Sequence, residues 1–164
     1  MEVVNVHGDD WDGEGDENVP GYRRRFKMIG ATLGAELLGA TLYELPPGQR
    51  TWPFHFEHGN EEWLLCVAGQ PTLRGSDGDR ELEPGDVAWF PRGPLGAHQV
   101  INRTDEPARV LIASTKIRPD VSEYPDSGKI RVRVEEGRYD LARFPEVGYW
   151  DGELIDADED GAAE

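Results

Sequence analysis

Short runs of apolar and β-branched residues recur along the chain, and turn-forming residues separate them. The run EEWLLCVA has the strongest buried-strand pattern, and SDGD lies between two short runs as a hairpin signal. Short strands at intervals of about ten residues are typical of a β-sandwich or barrel. The predicted strands cover residues 35–45, 51–57, 61–68, 71–74, 79–82, 86–91, 97–102, 109–115 and 129–135. The pattern therefore predicts an all-β domain.

Two segments carry patterns of another kind. The sequence KIRVRVE at residues 129–135 alternates basic and apolar positions, as an edge strand does. Residues 28–38 are the main place where a helix competes with a strand, and their glycines argue against a long helix. We expect few helical residues overall.

The length of 164 residues suits one domain, and we find no internal repeat. We expect a mobile acidic N-terminus over residues 1–20 and a barrel over residues 21–135. A C-terminal extension then covers residues 136–164 and ends in the acidic tail DGELIDADEDGAAE, a charge run of the kind that is usually solvated.

The charge balance is strongly acidic, with 33 Asp and Glu residues against 17 Lys and Arg residues and a formal net charge of −16. Such a chain repels phosphate backbones and anionic lipid surfaces, so we expect neither nucleic acid nor a membrane as a partner. No run approaches the ~18 apolar residues needed to span a bilayer, and the acidic first residues are unlike a secretory signal. The single cysteine, Cys66, excludes an intramolecular disulfide. These features predict a cytoplasmic protein.

Candidate chemistry first appears at His55 and Glu57. The two residues are two positions apart on a predicted strand, so their side chains point to the same side, about 6.6 Å apart. The neighbouring His58 points the other way by the same rule, and it becomes a substitute ligand only if the strand carries a bulge.

The next predicted strand places Glu62 on one face with Leu64 and Cys66, while Glu61 takes the opposite face. A shift of one residue in register would exchange the two glutamates. A carboxylate within a run as apolar as EEWLLCVA is costly unless something compensates its charge, and a metal ion is one such partner.

Two blocks of residues resemble the two sequence motifs of the cupin superfamily, G-x5-H-x-H-x3–4-E-x6-G and G-x5-P-x-G-x2-H-x3-N. In chain order, the matching residues are Gly48, His55, Glu57, Glu62 and Gly69, and then Gly85, Pro91, Gly93, His98 and Asn102. His55 comes one residue later and His98 two residues later than the motifs place them, and Glu57 stands where the first motif has its second histidine. The motifs cover residues 48–115. The segments GNEEWLL, PTLR, FPRGPLGAHQV, TDEPARVL and YPDSGK also resemble a subgroup of small single-domain cupins with a conserved barrel.

The resemblance implies a double-stranded β-helix, or jelly-roll, barrel with short irregular or helical termini. It implies a divalent metal held by His55, Glu57, Glu62 and His98. It also implies a homodimer, for which KIRVRVE is a candidate contact.

Two roles stay open for Glu57. Without it, His55, Glu62 and His98 form a 2-His-1-carboxylate set, which suits Fe(II). With Glu57 as a fourth ligand, two imidazoles and two carboxylates favour Mn(II), Fe(II), Ni(II) or Zn(II). Alternatively, Glu57 stays off the metal and acts as the catalytic general base.

Two functions fit this set of residues. The first is a small metalloenzyme of dioxygenase, decarboxylase or isomerase type that acts on a small polar molecule. The second is a non-catalytic cupin that binds a small ligand such as a sugar or an organic acid.

Overall fold

The computed structural model confirms the predicted all-β jelly-roll barrel. The described residues are 2–15, 18–135, 137–143, 145 and 147–153. Most of the predicted acidic tail, residues 154–164, lies outside them. The strands in chain order are β1 (Gly13–Gly15), β2 (Arg24–Lys27), β3 (Leu38–Leu45), β4 (Phe56–Glu57), β5 (Glu62–Ala68), β6 (Thr72–Gly75), β7 (Gly78–Glu81), β8 (Val87–Phe90), β9 (His98–Ile101), β10 (Ala108–Thr115), β11 (Asp120–Tyr124), β12 (Lys129–Glu135) and β13 (Arg138–Ala142). One short helix, α1 (Ile29–Thr32), and a 3-10 turn at Pro94–Gly96 complete the described elements. No helix among them is long and apolar enough to cross a membrane.

The strands form three antiparallel sheets. The largest has the order β1-β2-β3-β10-β5-β8, and the other two have the orders β13-β12-β11-β4 and β7-β6-β9. The core lies on the inner face of the largest sheet, where the alternation of β5 buries Leu64 and Cys66 completely. Glu61 and Trp63 are exposed, so the predicted orientation of this strand is confirmed.

The N-terminal stretch contains a strand that the sequence did not predict. Residues of β1 pair with β2, and Val4, Val6 and Trp11 pack against the apolar cluster of Ile29 and Leu42. This cluster covers part of the outer face of the largest sheet. The polar composition of the segment hid the few apolar residues that attach it to the barrel.

The segment KIRVRVE is not an edge strand, which corrects the prediction. It forms β12 and pairs with β11 on one side and β13 on the other. Neither of these neighbours was predicted, because their sequences DVSEY and RYDLA are short and largely polar. The homodimer stays a prediction.

A glycine and an asparagine of the two motifs hold turns where the backbone needs them. Gly69 has a φ of +76°, and a Cβ added there would lie 2.8 Å from the Cα of Ala108. Asn102 is fully buried, and its side-chain amide donates to the carbonyl oxygens of Leu45 and Glu106, both at 2.8 Å. Its Oδ1 accepts from the backbone N–H of Thr104 at 3.0 Å. Asn102 therefore joins two turns at one end of the barrel.

Replacing Asn102 with alanine is expected to lower the free energy of unfolding by about 3 kcal/mol, because two buried carbonyl groups lose their donor. Urea denaturation of the purified variant measures this loss. The matched control is Asn18→Ala, at an exposed position in a turn, which should change stability by less than about 0.5 kcal/mol. Equal stability of the two variants would contradict the structural role of Asn102.

Candidate metal centre

A cavity of about 600 Å³ lies between the largest sheet and the sheet that contains β11, β12 and β13. The four predicted site residues, His55, Glu57, Glu62 and His98, all line it. The structure therefore brings the two motif blocks together at one place in the barrel.

Backbone pairing positions the two histidines. His98 begins β9, and its N–H donates to the carbonyl oxygen of His55 at 2.9 Å, while the N–H of His55 donates back to His98 at 3.3 Å. The ring centroids are 4.9 Å apart. The ring of Phe90 stacks on His98 at 3.7 Å, and that of Tyr124 stacks on His55 at 5.7 Å. Each imidazole is therefore positioned both by the backbone bridge and by an aromatic ring stacked on it.

Each histidine makes a hydrogen bond to the carbonyl group two residues earlier, and this bond sets its tautomer. Nδ1 of His55 lies 2.9 Å from the carbonyl oxygen of Pro53, and Nδ1 of His98 lies 2.9 Å from that of Gly96. A carbonyl oxygen only accepts, so Nδ1 carries the hydrogen in both rings. Burial lowers the pKa of His55 to about 4, and burial together with the nearby His55 lowers that of His98 to about 3. Both rings are thus neutral near pH 7, and each Nε2 keeps a free lone pair.

Glu62 completes a cluster of three potential ligands. One ligand atom from each of His55, Glu62 and His98 lies within 4.8 Å of the others. Oε2 of Glu62 is 3.4 Å from Nε2 of His98, and it is buried with no hydrogen-bond partner among the described residues. Lone pairs on the two atoms face each other, so a proton or a cation is needed between them. The donor set and its orphaned oxygen fit a divalent metal.

Burial also governs the charge of Glu62. It raises the pKa of this carboxyl to about 7; Asp120 acts in the same direction, and Arg131 acts against it. Glu62 therefore titrates close to neutral pH, at a value where a cation competes with a proton.

Glu57 lies beside this cluster and is held differently. Its Oε1 accepts from Arg131 at 2.9 Å and is 3.9 Å from Nε2 of His55. Its Oε2 accepts from the Ser122 hydroxyl at 3.0 Å. Both oxygens thus have partners other than a metal, and Glu57 is not part of the group of three.

Glu57 also interacts with Asp120. Burial, and next the hydrogen bond with Asp120, raise the pKa of Glu57, while Arg131 opposes the change. Burial alone would raise the pKa of Asp120, but hydrogen bonds with Glu57, with the Gly59 N–H and with Asn60 hold it below its ordinary value. The two carboxyls therefore titrate as a pair, in which the pKa of Glu57 is raised and that of Asp120 is lowered.

The other residues considered from the sequence lie outside the cluster. His58 is exposed and lies 2.6 Å from the carboxylate of Glu123, and Glu61 faces solvent. Cys66 is buried in the core, and burial raises the pKa of its thiol to about 11. None of the three takes the place of a predicted ligand.

Sequence reasoning missed Arg131, Ser122 and Asp120. They lie on β11 and β12, outside the two motif blocks, and they reach Glu57 only through the pairing of β4 with β11. The one available signal was the regular spacing of basic residues in KIRVRVE, which also fits an exposed edge.

The comparisons with known proteins agree with the cupin motifs of the sequence. A family model described as Cupin domain matches residues 41–114. No curated protein matches the chain. Solved structures do: a sugar phosphate isomerase of the cupin superfamily from Silicibacter pomeroyi is 27% identical, with 82% of each chain covered and a TM-score of 0.70. A candidate sugar phosphate isomerase from Acidithiobacillus ferrooxidans is 28% identical, with 75% of this chain and 78% of that chain covered and a TM-score of 0.69.

A third structure extends the likeness in fold. A cupin conserved-barrel protein from Salinispora arenicola is 22% identical, with 70% of this chain and 87% of that chain covered and a TM-score of 0.52. The barrel, the two motif blocks and these matches agree: residues 41–114 match the Cupin domain model, and the described barrel has the same fold as these cupin structures.

Proposed function

We propose that the chain is a metal-dependent cupin that acts on a small polar molecule, with His55, Glu62 and His98 as the protein ligands. The observation that carries this proposal is the buried Oε2 of Glu62, which faces the lone pair of His98 at 3.4 Å without a hydrogen-bond partner among the described residues. A cation at this position satisfies both atoms. Two imidazoles and one carboxylate suit Fe(II), Mn(II), Ni(II) or Zn(II).

A bound divalent metal supplies a Lewis acid that polarises a carbonyl or hydroxyl oxygen of the small molecule. The chain's own residues supply orientation and proton transfer. Phe90 and Tyr124 hold the imidazoles, and both histidines are buried at the cavity wall. Glu57 holds or releases a proton at its carboxyl, with Asp120 as its neighbour and Arg131 as its counter-charge.

Among the reaction types implied by the family, isomerisation has the most support. Such a reaction moves a proton between adjacent carbons, and a carboxyl whose pKa is raised toward neutral can take up and return that proton. The Glu57–Asp120 pair has this property. Two of the similar solved structures, at 27% and 28% identity and with TM-scores of 0.70 and 0.69, are named for isomerases of sugar phosphates. We propose a hydroxy-carbonyl compound as the substrate.

A second candidate function is binding of a small ligand without turnover. The arrangement of Glu57 favours it, because Arg131 and Ser122 engage both carboxylate oxygens and leave three ligands where the family motif has four. The metal would then hold the ligand without activating it.

Replacing His98 with alanine is expected to remove the metal, since the cluster then keeps one imidazole and one carboxylate. The measurement is elemental analysis of protein purified without a polyhistidine tag. His58→Ala is the matched control, because this exposed histidine pairs with Glu123 away from the cavity. Wild-type protein and the control should carry stoichiometric metal, whereas equal metal content in both variants would contradict the assigned ligands.

Metal affinity is expected to rise with pH up to about 7 and then to level off. Below that value the cation must displace the proton of Glu62, so affinity should change by about tenfold per pH unit. Both imidazoles are already neutral in this range and add no slope. Titration calorimetry with Mn(II) between pH 5.5 and about 8 measures the effect. The slope should vanish in Glu62→Gln and persist in the control Glu61→Gln; a slope retained in Glu62→Gln would exclude Glu62 as the titrating ligand.

The Mn(II)-loaded protein, incubated in D2O with neutral and anionic hydroxy-carbonyl compounds, distinguishes the two functions. An isomerase exchanges the proton on the carbon beside the carbonyl group, and NMR detects the loss of its signal. Glu57→Gln should slow this exchange by about 100-fold or more while retaining the metal. Ligand binding without exchange in the wild-type protein would favour the second function.

A further inference from the structure

The charge of the cavity is opposite to that of the chain. Acidic residues outnumber basic residues 33 to 17 in the sequence, yet the cavity lining has five basic residues and three carboxylates. The basic residues form what we name the cationic wall, which consists of Lys116, Arg118, Lys129, Arg131 and Arg133. Two of the chain's three lysines belong to it. A random distribution of charge would place more acidic than basic groups there.

The alternation of β12 builds most of this wall. Lys129, Arg131 and Arg133 are two positions apart, and all three line the cavity. The apolar residues of the strand take its other face, where Ile130 and Val132 are half-buried and Val134 is 61% exposed. The basic face of this strand, and not its apolar face, therefore lines the cavity.

The acidic groups of the cavity do not neutralise the whole wall. Arg131 donates to Oε1 of Glu57 at 2.9 Å, and the carboxylate of Asp120 accepts from the Gly59 N–H at 2.9 Å. The side chains of Arg118 and Arg133 form no hydrogen bond or salt bridge with other described residues. Arg133 is half-buried, and burial and the adjacent Arg131 both lower its pKa. A partly buried guanidinium among like charges is unfavourable unless an anion joins it.

We infer that the cationic wall binds an anionic group, a phosphate or a carboxylate, of the small molecule whose oxygen atoms face the His55–Glu62–His98 cluster. Guanidinium groups match both anions through paired N–H donors. A volume of about 600 Å³ accommodates both ends of such a molecule. The inference rests on the proposed function, because that function places the other end of the molecule at the metal.

The test uses three probes with one carbon skeleton: ribose 5-phosphate, ribonate and ribose. Titration calorimetry on the Mn(II)-loaded full chain measures the affinity of each. We expect the phosphate or the carboxylate probe to bind at least about tenfold more tightly than ribose, and the preference to weaken as salt rises. The tighter of the two anionic probes identifies the group that the wall recognises.

Arg133→Gln should lower the affinity for the anionic probe by about tenfold or more and leave the affinity for ribose unchanged. The matched control is Arg138→Gln, since Arg138 lies on the adjacent strand, is exposed and pairs with Glu135 outside the cavity. Arg118→Gln serves as a second variant if Arg133→Gln does not fold, as judged by circular dichroism. Equal affinity for the three probes, or an equal effect of the wall and control variants, would overturn the inference.

The metal content of the same samples separates the two hypotheses. Wild-type protein that binds metal but shows no preference for an anion overturns the cationic wall alone. Wild-type protein that binds no metal overturns the proposed function, and the same probes applied to that protein then decide whether the wall selects anions by itself.

Discussion

The antiparallel bridge between His55 and His98 is the contact on which the site depends. Its two backbone hydrogen bonds join the segment before β4 to the start of β9, and so they bring the two motif blocks together. In each histidine, Nδ1 donates to the carbonyl group two residues earlier, which directs Nε2 toward Glu62. Backbone geometry therefore fixes the imidazoles before any ligand binds, and the cluster is preorganised.

This arrangement opposes folding. Neutral histidines, a glutamate oxygen with no hydrogen-bond partner in the described part of the chain and a half-buried arginine all lose solvation when the barrel closes. The core offsets this with completely buried residues such as Leu45, Leu64 and Val110. Polar groups that destabilise the fold yet meet in one cavity are typical of a binding or catalytic site.

The sequence predicted those parts of the structure that local patterns encode. The alternation in β5 predicted the orientation of Glu61 and Glu62, and the resemblance of two blocks to the cupin motifs implied four ligands, three of which form the cluster. The order of the strands and their neighbours in the sheets could not be predicted from local patterns. KIRVRVE has the pattern of an edge strand, and only the pairing with β11 and β13 shows that its basic face lines a cavity. The partners of Glu57 were missed for the same reason, because they are distant in sequence.

The three strands from β11 to β13 follow the segment that the family model matches, which ends at residue 114. The residues that would hold the metal and those that form the cationic wall are thus encoded in separate stretches of the chain. Substitutions in β12 can alter the charge of the cavity without touching the histidine bridge. Homologous barrels can accordingly diverge in ligand preference through this C-terminal sheet alone, which makes it the natural segment to exchange when new specificity is engineered.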